Sequence, residues 1–281
     1  MDKKKLLLVD FNNLLFRSVF AHDTLSFQGL FTGGLYGAID MMCSTVNRYN
    51  IDRIIICHDT KPYYRSKFYP KYKSDRQQAD RFDEDRLMQI STSRSQLASL
   101  FVSFHFPTAC TEGFEADDFI AHICRRSSVR YKQIFIMSND SDFFQVLTPR
   151  IFLCKTGGLY GRVDFAEEYP GIKPKVWPRC IALKGSHNGV PGIKGVGDVT
   201  AYKAVLNKMT DREIFEKWRV RRSDIKLRTD LATFPFPLVE DPPTVPAHAI
   251  RYNAAKFQKL CDKYGINFKD DFHRAMMRLA T

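Results

Sequence analysis

The chain is predicted to be an α/β protein with a mostly parallel central sheet flanked by helices. Its first 150 residues alternate short apolar, β-branched runs with amphipathic stretches, as the strands and covering helices of a parallel sheet do. With 281 residues, 44% hydrophobic and 26% charged, it can bury a full core. Acidic residues closely follow three of the apolar runs: LLLV before Asp10, IIIC before His58-Asp59, and IFIM before Ser138-Asn139-Asp140. The carboxyl ends of parallel strands share one edge, and ligands bind there.

Strands are expected at Leu6–Val9, Arg53–Cys57, Phe101–Phe106, Gln133–Met137 and Arg150–Cys154. Helices are expected at Gly34–Tyr49, Arg81–Leu100, Glu115–Ser127 and Asp142–Leu147. The start, MDKKKLLLVDF, opens like a secretion signal, but Asp10 breaks the apolar run after four residues and no cleavage site follows. It reads as a solubilised entry to a buried first strand. The glycines of FTGGLYG mark a loop-to-helix entry, since they lack the spacing of a Walker or dinucleotide loop. Residues 60–80 interleave lysine, arginine and tyrosine with little apolar periodicity, and the helix after them opens with the charge-rich DRFDEDRLM. That region is expected to project from the sheet. It would offer stacking faces and phosphate contacts to unpaired nucleic acid, or else form a solvated loop whose tyrosines pack locally.

Beyond residue 160, Pro170, Pro174 and Pro178 punctuate the chain, and a glycine-rich segment follows. In Gly192-Ile193-Lys194-Gly195-Val196-Gly197 a tight turn leads to a helix starting near Asp198. Backbone N–H groups there can approach a phosphate, with a favourable field from the helix terminus, although a structural hairpin reads equally well. The tail from Ala204 is mostly helical. FPFPLVEDPPTVPAH at 234–248 is a linker or a strap over the core.

Net charge is +12 with a pI near 9.4, which points to a polyanionic partner such as nucleic acid. Seven scattered cysteines form no Cys-x-x-Cys pair and no zinc spacing, so most are expected to be reduced core thiols inside a cell. No apolar run approaches the roughly 18 residues of a membrane span.

Seven acids in four segments carry the chemical reading: Asp10, Asp59, the trio Glu115, Asp117 and Asp118, and the pair Asp140 and Asp142. Carboxylates gathered at one sheet edge repel one another unless a cation neutralises them. Oxygen-only ligands suit a hard ion, Mg²⁺ or Mn²⁺. Glu115 and Asp118 share a helix face at i and i+3, with Asp117 in the same first turn.

These strings resemble the 5′ nuclease family: flap endonucleases, phage 5′→3′ exonucleases and the 5′ nuclease domain of bacterial DNA polymerase I. The matching elements run in order along most of the chain. They are LLLVDFNNLLFR with Asp10, Asn13 and Arg17, then FTGGLYGAIDMM, the Asp59 strand end, YPKYKSDR with Tyr72, Lys73 and Arg76, GFEADD, SNDSDFFQVL and VPGIKGVGDVTA. The resemblance implies a PIN-like core at 1–175, with a helical arch near 62–100. It implies a helix-three-turn-helix DNA-binding and helical region at 176–281. Asp10, Asp59, Glu115 and Asp117 would hold a first divalent ion, directly or through water. Asp118, Asp140 and Asp142 would lean toward a second. Lys73 and Arg76 would clamp the scissile phosphate, with Asp10, Asp59 and Asp118 in the catalytic set. Arg17 and Tyr72 would contact DNA. The turn with Gly192, Lys194, Gly195 and Gly197 would grip the duplex backbone, with K⁺ able to sit on its carbonyls. Expected partners are DNA with 5′ ends, flaps or nicks, and RNA in RNA–DNA hybrids. A cytoplasmic monomer of a bacterial cell or phage-infected host is expected.

One departure weakens the second ion site. The family commonly carries Gly-Asp-x-x-Asp-Asn before the glycine turn, whereas this chain reads Lys184-Gly185-Ser186-His187-Asn188-Gly189-Val190-Pro191. Gly185 or Ser186, and Asn188, stand in place of aspartates. His187 is a ligand or a loop histidine. Two other readings stay open: a metal-dependent ribonuclease of related architecture, and a catalytically weakened binder of branched DNA.

Overall fold

The computed structural model describes residues 4–74, 82–127, 130–186, 189–268 and 270–281. Strand β1 (Lys5–Asp10) runs into α1 (Phe11–Ala21), a small hairpin of β2 (Ser26–Phe27) and β3 (Leu30–Phe31) follows, and α2 (Gly33–Tyr49) leads to β4 (Arg53–Cys57). Next come α3 (Tyr64–Phe68), α4 (Glu84–Ser103), β5 (Thr108–Ala109), α5 (Ala116–Ser127) and β6 (Gln133–Met137). A 3₁₀ turn at Ser141–Val146 precedes β7 (Ile151–Lys155), β8 (Gly158–Tyr160) and α6 (Arg162–Glu168). The remainder is helical: α7 (Trp177–Lys184), α8 (Asp198–Leu206), α9 (Asp211–Trp218), α10 (Arg222–Ala232), α11 (Ala254–Tyr264) and α12 (Asp270–Leu279).

The main sheet has the order β5-β4-β1-β6-β7-β8, parallel throughout except for the antiparallel β7–β8 pair. The chain builds outward from β1 through β4 to β5, then crosses to β6 on the other side. The strand order therefore reverses at β1, the kind of point where open α/β sheets place ligands. Asp10 pairs in register with Cys57 and Val9 with Met137, which brings the carboxyl ends of the three central strands level.

Strand alternation sends Leu7 and Val9 to one face and Leu6 and Leu8 to the other. The first face packs against α1, α2 and α4, and also against α11 and α12 through Phe257, Cys261, Phe272 and Met276. The second packs against α5, the 3₁₀ turn and α7, and buries Phe234 and Phe236 of the strap. A third small core joins Leu183, Ile193, Val196, Ala201, Ala204, Ile214 and Ile225, so that α7, the glycine turn and α8–α10 form one body.

The structure corrects three expectations. Phe101–Phe106 is not a strand: Leu97, Leu100, Phe101 and Phe104 continue a helical stripe against the core, and α4 runs on to Ser103 before β5 forms at Thr108–Ala109. The segment at Asp142–Leu147 is a 3₁₀ turn at Ser141–Val146, capped by the Asp140 side chain. Within the basic and tyrosine-rich segment at 60–80, Arg65, Tyr72 and Lys73 are buried rather than solvated, and residues 75–80 lie outside the described residues. The sequence reading also passed over α1, whose N-cap is Asp10 itself. The strap at 234–248 does wrap back over the core. Among the described residues, no helix is long and apolar enough to cross a membrane.

Candidate active site

The strand ends place the acids, and local hydrogen bonds fix them. Asp10 caps α1 by accepting from Asn13 N–H at 3.1 Å, and accepts from the Ser138 hydroxyl at 3.0 Å. Asp59, just past β4, accepts from the Ala116 N–H at 2.8 Å and from the Asn12 amide at 2.9 Å. It thereby docks the N-terminus of α5 onto the sheet edge, where a carboxylate meets the positive end of the helix. Asp140 follows β6 and accepts from Asp142 N–H at 2.8 Å. Buried Asp117 lies in the first turn of α5, and its carboxylate accepts no hydrogen bond from a described residue.

These groups sense one another. Burial, then the charge of Asp59, pushes the Asp10 carboxyl up to about 7. Burial, then Asp10, raises Asp117 well above the carboxylate range, with Asp140 and Asp59 adding to the repulsion and Lys73 opposing it. Burial also lowers the neighbouring His58 to about 4, helped by Arg94, so its imidazole stays neutral against the Phe11 ring.

Glu115 and Asp118 live differently. Arg65, 1% exposed, donates to Glu115 Oε2 at 2.8 Å and forks both Asp118 oxygens at 2.8 Å. Its remaining donors reach the Leu231 and Thr233 carbonyls at 3.0 and 3.1 Å, and its plane lies over the Phe234 and Phe236 rings. Lys73 donates to the other oxygen of Glu115. Burial alone would raise Glu115, but Lys73 and Arg65 outweigh it and hold the carboxyl below its usual range. Asp118 also accepts from the Phe236 N–H at 2.9 Å and the Glu115 N–H at 3.2 Å. Its acceptor sites are thus taken by Arg65, the strap and its own helix turn, which directs it away from the open carboxylates.

A cleft of about 700 Å³ joins this edge to the glycine turn, lined by Asn13, Asp140 and Asp142 on one side and Lys184, Gly192 and Gly197 on the other. Lys184 crosses to Asp198 at 2.7 Å. Gly185 and Ser186 border this cleft; His187 and Asn188 lie outside the described residues. Gly189 has a structural reason to be glycine. Its φ is +89°, and a Cβ there would stand 2.6 Å from the Lys73 nitrogen. Lys73 itself has a φ of +53°. The loop therefore presses on the backbone of that lysine.

The other expected residues divide. Tyr72 is buried between Arg65 and Lys73 and offers no open ring. Arg17 lines a separate hollow of about 210 Å³ beside α2 and β7, and its Nη1 has no hydrogen-bond partner among the described residues. Lys194 and Gly195 are exposed beside the cleft rather than in it. Arg76 lies outside the described residues. Sequence reasoning missed Arg65, Asn12 and Ser138. The available signal for Arg65 was charge balance, since two carboxylates on a buried helix face demand a cation.

An ion can be tested against this donor set. Asp10, Asp59, Asp117 and Asp140 provide only hard oxygens, and burial and mutual repulsion keep Asp10 and Asp117 from ionising readily unless a cation compensates them, which fits a hard divalent ion. Among the described residues, no three side chains are placed to hold a metal ion together.

A family model described as the 5′-3′ exonuclease, N-terminal resolvase-like domain matches residues 5–170. DNA polymerase I of Pseudomonas aeruginosa is 29% identical over 205 residues, covering 72% of this chain but only 22% of that protein. The fold matches that of the T5 5′-exonuclease solved with zinc, with a TM-score of 0.66, 19% identity and 98% of each chain covered. It also matches the D15 flap endonuclease of bacteriophage T5 solved with DNA and metal ions, with a TM-score of 0.63, 19% identity, and 99% and 100% of the two chains covered.

Proposed function

Since the chain belongs to the 5′-3′ exonuclease family defined by that N-terminal, resolvase-like domain, we propose that it is a divalent-metal-dependent 5′→3′ exonuclease and 5′-flap endonuclease acting on DNA. The observation that carries the reading is the split of its acids. Asp10 and Asp117 are buried with raised carboxyls at the reversal point of the sheet. The direct ion pairs of Arg65 and Lys73 go to Glu115 and Asp118. A binding protein has no use for buried, mutually repelling carboxylates beside a cleft for phosphates.

In this reading Asp10, Asp59, Asp117 and Asp140 would hold Mg²⁺ or Mn²⁺ largely through water, since no three of them are placed to bind one ion directly, with Glu115 fixing the turn that carries Asp117. The chemistry such ions supply is activation of water for attack on phosphorus and stabilisation of the departing oxygen. Asp142 borders the second, weaker position, opposite Gly185 and Ser186. Lys73 keeps its charge on Glu115 at the arch base and, together with Arg76, is available to the scissile phosphate when DNA enters. Residues 1–175 carry the chemistry, and 176–281 hold the duplex through the turn at Gly192–Gly197, which positions without reading sequence. K⁺ at that turn, RNA–DNA hybrids as substrates and a monomeric state belong to the same proposal.

The test is cleavage of labelled 5′-flap, nicked and single-stranded DNA with Mg²⁺, beside an Asp59→Asn control. Cutting at the flap junction that the control lacks supports the enzyme. Tight flap binding with no cutting in Mg²⁺ or Mn²⁺ favours the branched-DNA binder, which the carboxylate-free Gly185-Ser186 wall of the cleft also suits.

A further inference from the structure

Asp59 is held differently from Glu115 and Asp118. Among the described residues no cation pairs with it directly, and each of its oxygens accepts one hydrogen bond. Oδ1 accepts from the Ala116 N–H at 2.8 Å and Oδ2 from the Asn12 amide at 2.9 Å. The Asn12 amide is itself held from behind, since its oxygen accepts from Arg94 Nη2 at 3.2 Å. A carboxylate only accepts and a guanidinium only donates, so one orientation of the amide satisfies both ends. Its Nδ2 faces Asp59 and its Oδ1 faces Arg94.

Helix α4 is built to place an arginine there. Ile90, Ser93, Leu97 and Leu100 form its buried stripe, and Arg94 borders that stripe where α4 meets the start of α1. Its guanidinium carbon lies 5.4 Å from the centre of the Phe11 ring, which is flanked in turn by His58 at 4.2 Å and Phe101 at 6.1 Å. Burial of part of the head group lowers the Arg94 pKa, and Asp59 is the charge that most opposes this. The interposed amide has a chemical consequence. Arg65 saturates Asp118 because it bonds both oxygens directly. Arg94 stands one residue further back, so a neutral donor fixes the plane of Asp59 and leaves each oxygen a lone pair for an ion or its water.

We propose that Arg94 is a positioning residue that acts through Asn12 to hold the Asp59 carboxylate oriented for a divalent ion. The inference rests on the reading of the chain as a metal-dependent nuclease, and adds to its site a support supplied by α4. Two residues in series do the work: Arg94 sets the amide, and the amide sets the carboxylate.

The test measures Mn²⁺ affinity of the full chain without DNA, by the loss of the free-ion electron spin resonance signal, so the readout needs no turnover. Charge alone predicts that Arg94→Ala binds Mn²⁺ more tightly, because a cation has left the site. Positioning predicts the opposite sign: affinity should fall on the order of 10-fold, as it does when a partner behind a metal ligand is removed. Asn12→Ala should weaken binding as much, and Arg94→Ala/Asn12→Ala no further than Asn12→Ala alone, since the two act in series. Arg94→Lys keeps a donor for the amide oxygen and should recover most of the affinity. Arg86→Ala, elsewhere on α4 and paired with Asp23, should leave it unchanged. On flap DNA the Arg94→Ala loss should fall on kcat at low Mg²⁺, and added Mg²⁺ should restore it. Unchanged or tighter Mn²⁺ binding by Arg94→Ala, additive losses in the double variant, or a loss confined to KM for DNA would overturn the proposal. If Arg94→Ala fails to fold by thermal melting, Arg94→Met keeps the stem over Phe11 and makes the same measurement. Weakened Mn²⁺ binding with no cutting by any protein sinks the nuclease alone; wild-type cutting with Mn²⁺ affinity unmoved by Arg94→Ala sinks the support alone.

Discussion

Glu115 and Asp118 lie on one side of the first turn of α5 and Asp117 on the other, and the two sides meet opposite electrostatic conditions. On the inner side Arg65 and Lys73 saturate both carboxylates, and even the strap contributes the Phe236 N–H. On the outer side Asp117 faces Asp10, Asp59 and Asp140, and its proton affinity rises. One short acidic string therefore divides into a structural pair and a working residue. Its own helical periodicity makes the division, since i and i+3 turn inward together. The inner pair stabilises the fold as it stands, whereas the outer group is costly until a cation or a proton arrives.

That contrast can be tested in both directions. Arg65→Met should have the largest effect, because it strands two buried carboxylates. The cost expected is about 3–5 kcal/mol, read as a lower midpoint in urea, with partial recovery on adding Glu115→Gln/Asp118→Asn. If the single change is neutral, the inner side is not held by charge. Asp117→Asn should do the reverse. The metal-free protein should melt higher, while kcat on a flap substrate falls on the order of 10²-fold, about 2.7 kcal/mol on the barrier. A variant that melts lower would place Asp117 with the inner pair. Gly189→Ala should cost about 1–3 kcal/mol, through its positive φ and the Lys73 backbone at 2.6 Å, and kcat should fall more than affinity for DNA. The smallest effect concerns pH. Asp10 is protonated more readily folded than unfolded, so its contribution to stability is complete below about pH 4 and fades as pH rises through about 7. Without divalent ion the melting temperature should therefore fall from pH 5 to pH 8 more steeply than in Asp10→Asn. Mg²⁺ should raise it more at pH 8 than at pH 5.

Much of this was legible in the chain. Arg53–Cys57 and Gln133–Met137 were read to the residue, because β-branched runs bounded by polar residues have few other uses in a parallel sheet. Phe101–Phe106 misled for a related reason: its aromatic run looked like a strand while its spacing continued a helix. The acids past the strands were legible as a group, because sheet topology alone brings strand ends together. Which of them face the cleft was not, since that depends on Arg65, whose partners lie 50 and 53 residues away. The tyrosines and lysines around Arg65 looked like a nucleic-acid surface. The structure turns Tyr72 and Lys73 inward with it, so composition described the segment correctly and its direction wrongly.

The bonds from Arg65 to Leu231 and Thr233, and from Phe236 to Asp118, span 166, 168 and 118 residues. A ribosome adding about 5–20 residues per second needs on the order of ten to thirty seconds to travel from Arg65 to Phe236. From Asp142 to Leu231 the nascent protein has made its acids but not the backbone carbonyls that complete the shell of the arginine. The shell of Arg65 is thus completed late in synthesis, and a chain cut short before residue 231 lacks the two carbonyls that hold this buried arginine.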